Sequence, residues 1–155
     1  MITYRKATLH DAEKLAKIRS IFLREASNVF SESEKNSVEQ ANFEYFKKAL
    51  CDNSFVAWLA LDGEEIVATS GVSFSAEPPS FKVPNGKVAY IMNMYTFPTH
   101  RKRGIATELF TKIVEEAKLL GCKKITLSAT DMGRPLYEKY GFKDAHNNMV
   151  YLCQV

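Results

Sequence analysis

Pro98-Thr99-His100-Arg101-Lys102-Arg103-Gly104-Ile105-Ala106-Thr107 separates a short apolar run, Tyr90 to Thr96, from a strongly helical stretch. A junction of this kind leaves the first N–H groups of the helix without intrahelical acceptors, and the helix dipole adds partial positive charge there. Gly104 and Ala106 allow a bulky anion to approach the main chain, while Arg101, Lys102 and Arg103 supply formal charge. The segment reads as a candidate phosphate cradle. A basic, solvated helix start is the competing reading.

Outward from this stretch, the pattern resolves into elements on both sides. Downstream, Ala106, Phe110, Ile113, Val114, Ala117 and Leu120 recur at helical spacing over Arg103 to Leu120, and Gly121 supplies a stop. Lys124 to Ala129 reads as a short strand, Arg134 to Tyr140 as a short helix ended by Gly141, and Met149 to Val155 as a final strand after the Asn147-Asn148 turn. Upstream, Lys87 to Thr96 is a strand stopped by Pro98, and Phe55 to Leu61 and Ile66 to Phe74 are strands joined by an Asp62-Gly63 hairpin signal. Ser75 to Gly86, with Pro78, Pro79, Pro84, Asn85 and Gly86, is an irregular surface loop and a candidate border for a substrate.

The N-terminal part opens with the alternating strand Ile2 to Lys6. Thr8-x-x-Asp11 then matches a capping box ahead of a helix carrying Leu15, Ile18 and Phe22 on one face. Ser31 to Leu50 repeats the helical period through Val38, Ala41, Tyr45, Phe46 and Ala49, with Ser31 to Ser37 as a looser lead-in. Hairpin-joined strands in the middle, with helices before and after, predict an α+β class with a mixed, mainly antiparallel sheet.

Composition narrows the function. The 155 residues are expected to form one domain spanning 1–155, with 46% hydrophobic and 25% charged residues, as in a globular protein. A formal net charge of +3 suits an anionic ligand but is too small to wrap nucleic acid. Cys51, Cys122 and Cys153 are unclustered and lie in or beside apolar segments, so they read as buried thiols of a reducing compartment. No zinc-type spacing links them to His10, His100 or His146, and no metal is expected. With neither a signal-peptide core at the N-terminus nor an apolar run of membrane-spanning length, a cytoplasmic protein that does not engage a membrane is expected.

The element order resembles that of the GCN5-related N-acetyltransferase (GNAT) family, and two motifs carry the likeness. Arg101-x-x-Gly104-x-Ala106 matches the family's acetyl-CoA loop, and Leu136-Tyr137-Glu138-Lys139-Tyr140-Gly141-Phe142 is similar to its late block. The resemblance implies a GNAT-like sheet flanked by about four helices, in the order β-α-α-β-β-β-α-β-α-β-β. It further implies an acetyl-CoA-dependent N-acetyltransferase acting on a primary amine of a small molecule or peptide, by direct attack in a ternary complex. A homodimer, as in many relatives, is compatible with it.

By the same resemblance, the backbone of Lys102, Arg103, Gly104, Ile105, Ala106 and Thr107, with Arg101 nearby, holds the diphosphate of acetyl-CoA. Met94, Tyr95 and Thr96 give main-chain contacts to the pantetheine arm, and the N–H of Met94 or Tyr95 stabilises the developing oxyanion. Tyr137 protonates the thiolate. The plain reading of Tyr137 and Tyr140 is half-buried packing, and Gly141-Phe142 is explained by a helix stop and a core anchor.

The strand carboxylate found in many relatives is missing: Asn93 and Ser128 occupy the two central strands. Asp131 and a water relay remain open as alternatives for the base. Phe22, Glu25, Asn28, Phe30, Glu32 and the 75–86 loop border the implied acceptor side. There Glu25, Glu32 and Glu77 either attract a cationic amine or are solvated surface. A second reading of the whole chain is a catalytically weak or inactive acyl-CoA-binding module.

Overall fold

The computed structural model of the chain describes residues 1–154. Strand β1 (Ile2–Lys6) leads through a short 3-10 turn into helix α1 (Ala12–Ala26), followed by α2 (Glu32–Asp52). Three strands come next, β2 (Phe55–Asp62), β3 (Glu65–Ala76) and β4 (Lys87–Thr96). They are followed by α3 (Ile105–Leu119), β5 (Lys124–Leu127) and α4 (Arg134–Tyr140). The strands lie in sequence order in one sheet, antiparallel except for the parallel β4–β5 pair. The mixed, mainly antiparallel sheet and the four helices match the expected α+β class.

Local chemistry accounts for the helix starts. Thr8 N–H donates to Asp11 Oδ2 (2.8 Å), and Arg5 clamps the same carboxylate from β1 (2.8 and 2.9 Å). This ties the first strand to the start of α1. Ser31 caps α2 in a full capping box with Glu34, so the polar Glu32 to Ser37 stretch is helical from its first turn rather than a loose lead-in.

The sheet is apolar on both faces. Ala57, Leu59 and Ile66 pack under α1 and α2 with Leu15, Phe46 and Ala49, while Val72, Ala89 and Ile91 pack under α3 with Phe110, Ile113 and Val114. Each such buried Leu, Ile or Phe side chain stabilises by about 1.5–3 kcal/mol relative to exposure. These two cores hold β4 between them and fix the end of the sheet where the candidate site lies.

Two expectations are corrected. The expected strand over Met149 to Val155 does not form among the described residues. Met149, Val150, Tyr151 and Leu152 are each more than 80% exposed, and the outer edge of β5 is unpaired among the described residues; Val155 lies outside the described residues. The β-formers of this stretch meet no apolar face in the structure, and propensity alone does not hold a strand. The thiols also depart from expectation: Cys51 and Cys153 are exposed and Cys122 half-buried. Cys51 lies on the solvent side of α2, away from the face carrying Phe46 and Ala49.

Candidate active site

The stretch between β4 and α3 forms a turn of mixed handedness. Pro98–His100 make a 3-10 turn, Arg101 is extended, and Lys102 (φ 60°) and Gly104 (φ 78°) are left-handed. Along Lys102 to Thr107 no main-chain N–H finds an acceptor among the described residues; the first to bond back is Glu108, to the Gly104 carbonyl at 3.1 Å. These successive donors, at the positive end of a fifteen-residue helix, form an anion cradle. A Cβ at Gly104 would meet nothing within 4 Å, so the space above the cradle is open. Lys102, Arg103 and Gly104 are exposed, and Ile105 is buried as the anchor of the first turn.

Arg101 has a different role from its neighbours. Its Nε donates to the Thr96 carbonyl (2.9 Å), its guanidinium lies over the Tyr95 ring at 5.7 Å, and Nη2 sits 3.9 Å from Glu25. Tyr95 in turn donates its hydroxyl to Glu25 (2.7 Å). Burial and this carboxylate push the Tyr95 phenol above its ordinary value. Arg101 therefore ties the cradle to the end of β4 and to α1.

Strand β4 opens a gap beside the cradle. Its pairing with β5 ends at Ile91 opposite Leu127, yet β4 continues to Thr96. A bulge against β3 falls here, with Asn93 left-handed (φ 57°), and the Thr69 hydroxyl pins it by donating to the Asn93 carbonyl (2.8 Å). Phe97 N–H bonds Val67 on β3 (3.0 Å), so strand alternation turns the Tyr95 main chain toward β3 and those of Met94 and Thr96 toward the gap. Of the three expected pantetheine contacts, Met94 and Thr96 face outward and Tyr95 does not. The Thr96 carbonyl already accepts from Arg101.

Tyr137 on α4 packs its ring against Phe110 of α3 at 5.0 Å between centroids and is 8% exposed. Its hydroxyl has no partner among the described side chains, yet no fully enclosed side-chain oxygen is left unpaired, so this oxygen reaches solvent. Burial pushes its phenol above the usual tyrosine value. Gly133 leaves room for the ring: a Cβ there would lie 2.9 Å from both the hydroxyl and Cε2 of Tyr137.

The remaining candidates are distributed differently. Asn93 accepts a 2.6 Å hydrogen bond from Arg19 of α1, and Ser128 accepts from Tyr90 (3.0 Å). Asp131 is exposed in the turn before α4, whose N-cap is Gly133 without a side-chain cap; within that turn Thr130 Oγ1 accepts from Gly133 N–H (3.1 Å). Of the acceptor-side glutamates, Glu32 is clamped by Arg24 (2.8 Å), Glu77 by Lys124 (2.8 Å), and Glu25 by Tyr95. Sequence reasoning missed Arg19. Its signal was a charge set four residues after Leu15 and one after Ile18, on the apolar face of α1.

Residues 15–142 match the model of the acetyltransferase (GNAT) family. The chain belongs to the GNAT family. Among solved GNAT-like structures, a predicted acetyltransferase with acetyl-CoA from Clostridium acetobutylicum is 35% identical. The similarity covers 98% of this chain and 96% of that one, with a TM-score of 0.89. A GCN5-related N-acetyltransferase from Ralstonia eutropha JMP134 is 27% identical over 99% of each chain, with a TM-score of 0.88. A glucosamine 6-phosphate N-acetyltransferase from Trypanosoma brucei brucei is 30% identical over 74 residues, which are 48% of this chain and 50% of that enzyme. The chain thus spans about half the length of this curated relative. The match to the GNAT model begins inside α1 and ends just after α4, so it includes the cradle, the β4 gap and Tyr137.

Proposed function

We propose that this chain is an acetyl-CoA-dependent N-acetyltransferase that acetylates a primary amine of a small molecule or peptide in a ternary complex in the cytoplasm. The observation that carries this reading is the unbroken run of unpaired amides from Lys102 to Thr107, opening next to the unpaired edge of β4. Family membership and the acetyl-CoA named with the Clostridium relative support it.

The residues fit acetyl-CoA. Amides of the cradle, with Lys102 and Arg103, bind the diphosphate, and the N–H of Met94 and of Thr96 orient the pantetheine arm as an added strand would. When bound, acetyl-CoA supplies an activated thioester. The Met94 N–H donates to the carbonyl oxygen as negative charge develops there, a contribution of about 3 kcal/mol for one well-placed donor. Tyr137 holds its proton at neutral pH because burial disfavours the phenolate, and gives it to the departing sulfur. Asn93 and Ser128 carry no basic group, so the ammonium proton leaves either through a water relay or to Asp131, which is exposed.

Thiol release measured over a panel of amines, beside calorimetry with acetyl-CoA, tests this reading. Turnover with at least one amine is expected. Tight binding without turnover over the whole panel would instead identify an acyl-CoA-binding module, and absence of binding would remove both.

A further inference from the structure

Arg19 projects from the buried face of α1, between Leu15 and Phe22, toward the β4 bulge. Its Nη1 donates to Asn93 Oδ1 at 2.6 Å, and this is its only hydrogen bond among the described residues. Among the described residues no carboxylate lies within ion-pair distance of it. The titratable groups whose field it feels are the phenols of Tyr90 on β4 and Tyr45 on α2. Burial pulls its pKa down, but a guanidinium stays charged at neutral pH. No enclosed side-chain nitrogen is left unpaired, so its free donors reach solvent. A half-buried cation without a counter-charge is costly, and an arriving anion offsets that cost.

The surroundings reinforce the sign. The acceptor-side carboxylates that would draw a purely cationic amine are already engaged: Glu32 by Arg24, Glu77 by Lys124, and Glu25 by Tyr95 and Arg101. Arg19 is the charge left uncompensated there. It is separated from the expected pantetheine edge only by the bulge residue Asn93, whose side chain it holds.

We propose that Arg19 anchors an anionic group, carboxylate or phosphate, carried by the acceptor amine, so that the enzyme prefers acceptors bearing both an amine and an anion. The proposal rests on the acetyltransferase reading for its catalytic arm only. A guanidinium fork matches both anions in bidentate geometry, with charge-assisted hydrogen bonds.

The test uses matched acceptors, β-alanine against β-alaninamide and O-phosphoethanolamine against ethanolamine, with thiol release measured at saturating acetyl-CoA. In at least one pair the anionic member is expected to have a kcat/KM at least tenfold above its neutral partner, and the pair with the larger ratio identifies carboxylate or phosphate. Arg19→Met should bring that ratio close to one, mainly by raising KM for the anionic acceptor, and Arg19→Lys should restore part of it. Lys17→Met, which removes an exposed charge from the same helix, should keep the wild-type ratio. Equal use of both members by the wild type, or an unchanged ratio in Arg19→Met, overturns the proposal while leaving the transferase intact. If no amine is acetylated, the same two anions are titrated into the coenzyme A-loaded protein and the Arg19 Nε–H resonance is followed. A saturable shift supports the anion site without the transferase reading, and no shift overturns it.

Discussion

At the scale of single residues, Tyr137 and Gly133 form one unit. The phenol can take up its position beside Phe110 only because residue 133 has no side chain, since an added methyl would sit 2.9 Å from the Tyr137 hydroxyl. Tyr137→Phe keeps the ring on Phe110 and removes only the proton. We expect kcat to fall at least tenfold while acetyl-CoA affinity changes less than twofold, measured by steady-state kinetics and calorimetry. Gly133→Ala should displace the phenol and give a similar loss of kcat with the hydroxyl still present, visible as a changed Tyr137 environment in a crystal structure. The pH dependence follows from burial. The proton-donating form is the protonated one and the pKa is raised, so Tyr137 remains competent through the ordinary tyrosine range, and any alkaline loss of kcat due to it should lie above that range and vanish in Tyr137→Phe. The tyrosine was legible in the sequence through its motif. Gly133 was not, because a contact between a loop backbone and a ring four residues later depends on how the turn folds.

At the scale of elements, the cradle is a property of the β4–α3 junction rather than of its basic side chains. Gly104 sits at φ 78° as the residue before α3, a conformation that costs other residues about 1 kcal/mol. A Cβ there would point into open space, so Gly104→Asn, a side chain that tolerates positive φ, should fold with a small loss of stability yet intrude on the volume a diphosphate occupies. Calorimetry should show coenzyme A binding weakened at least tenfold, with the melting temperature lowered by only a few degrees. Helical period and the glycine made this junction readable. The opposite holds for Arg101, which the motif assigns to the ligand and the structure engages with Thr96, Tyr95 and Glu25. Its partners come from β4 and α1, far apart in sequence, and no local pattern announces such a meeting. The last strand fails for a related reason: alternating β-formers name a strand, but only a neighbouring edge and a covering face make one.

At the scale of the whole molecule, the sheet separates two cores with different consequences. Phe110 of α3 is fully buried against the sheet and touches Tyr137, Tyr140 and Phe142, so the packing that stabilises this face also positions the proton donor. Phe46, equally buried on the opposite face, packs against Tyr45 and Phe55 at the far end of α2. Shortening either aromatic removes similar apolar area, and Phe→Leu at each should cost about 1–2 kcal/mol. Catalysis should divide them. Phe110→Leu leaves a void behind the Tyr137 ring, and misplacement of a reacting group by about 1 Å can cost 100-fold; a fall in kcat of at least fivefold is expected, beyond what the unfolded fraction explains. Phe46→Leu should keep kcat within twofold of wild type at a temperature where both variants are folded. Urea denaturation together with initial rates on the same samples checks the pair. Equal kcat in the two variants would mean that the α3 face serves stability alone and that Tyr137 is held by α4 without help from the core.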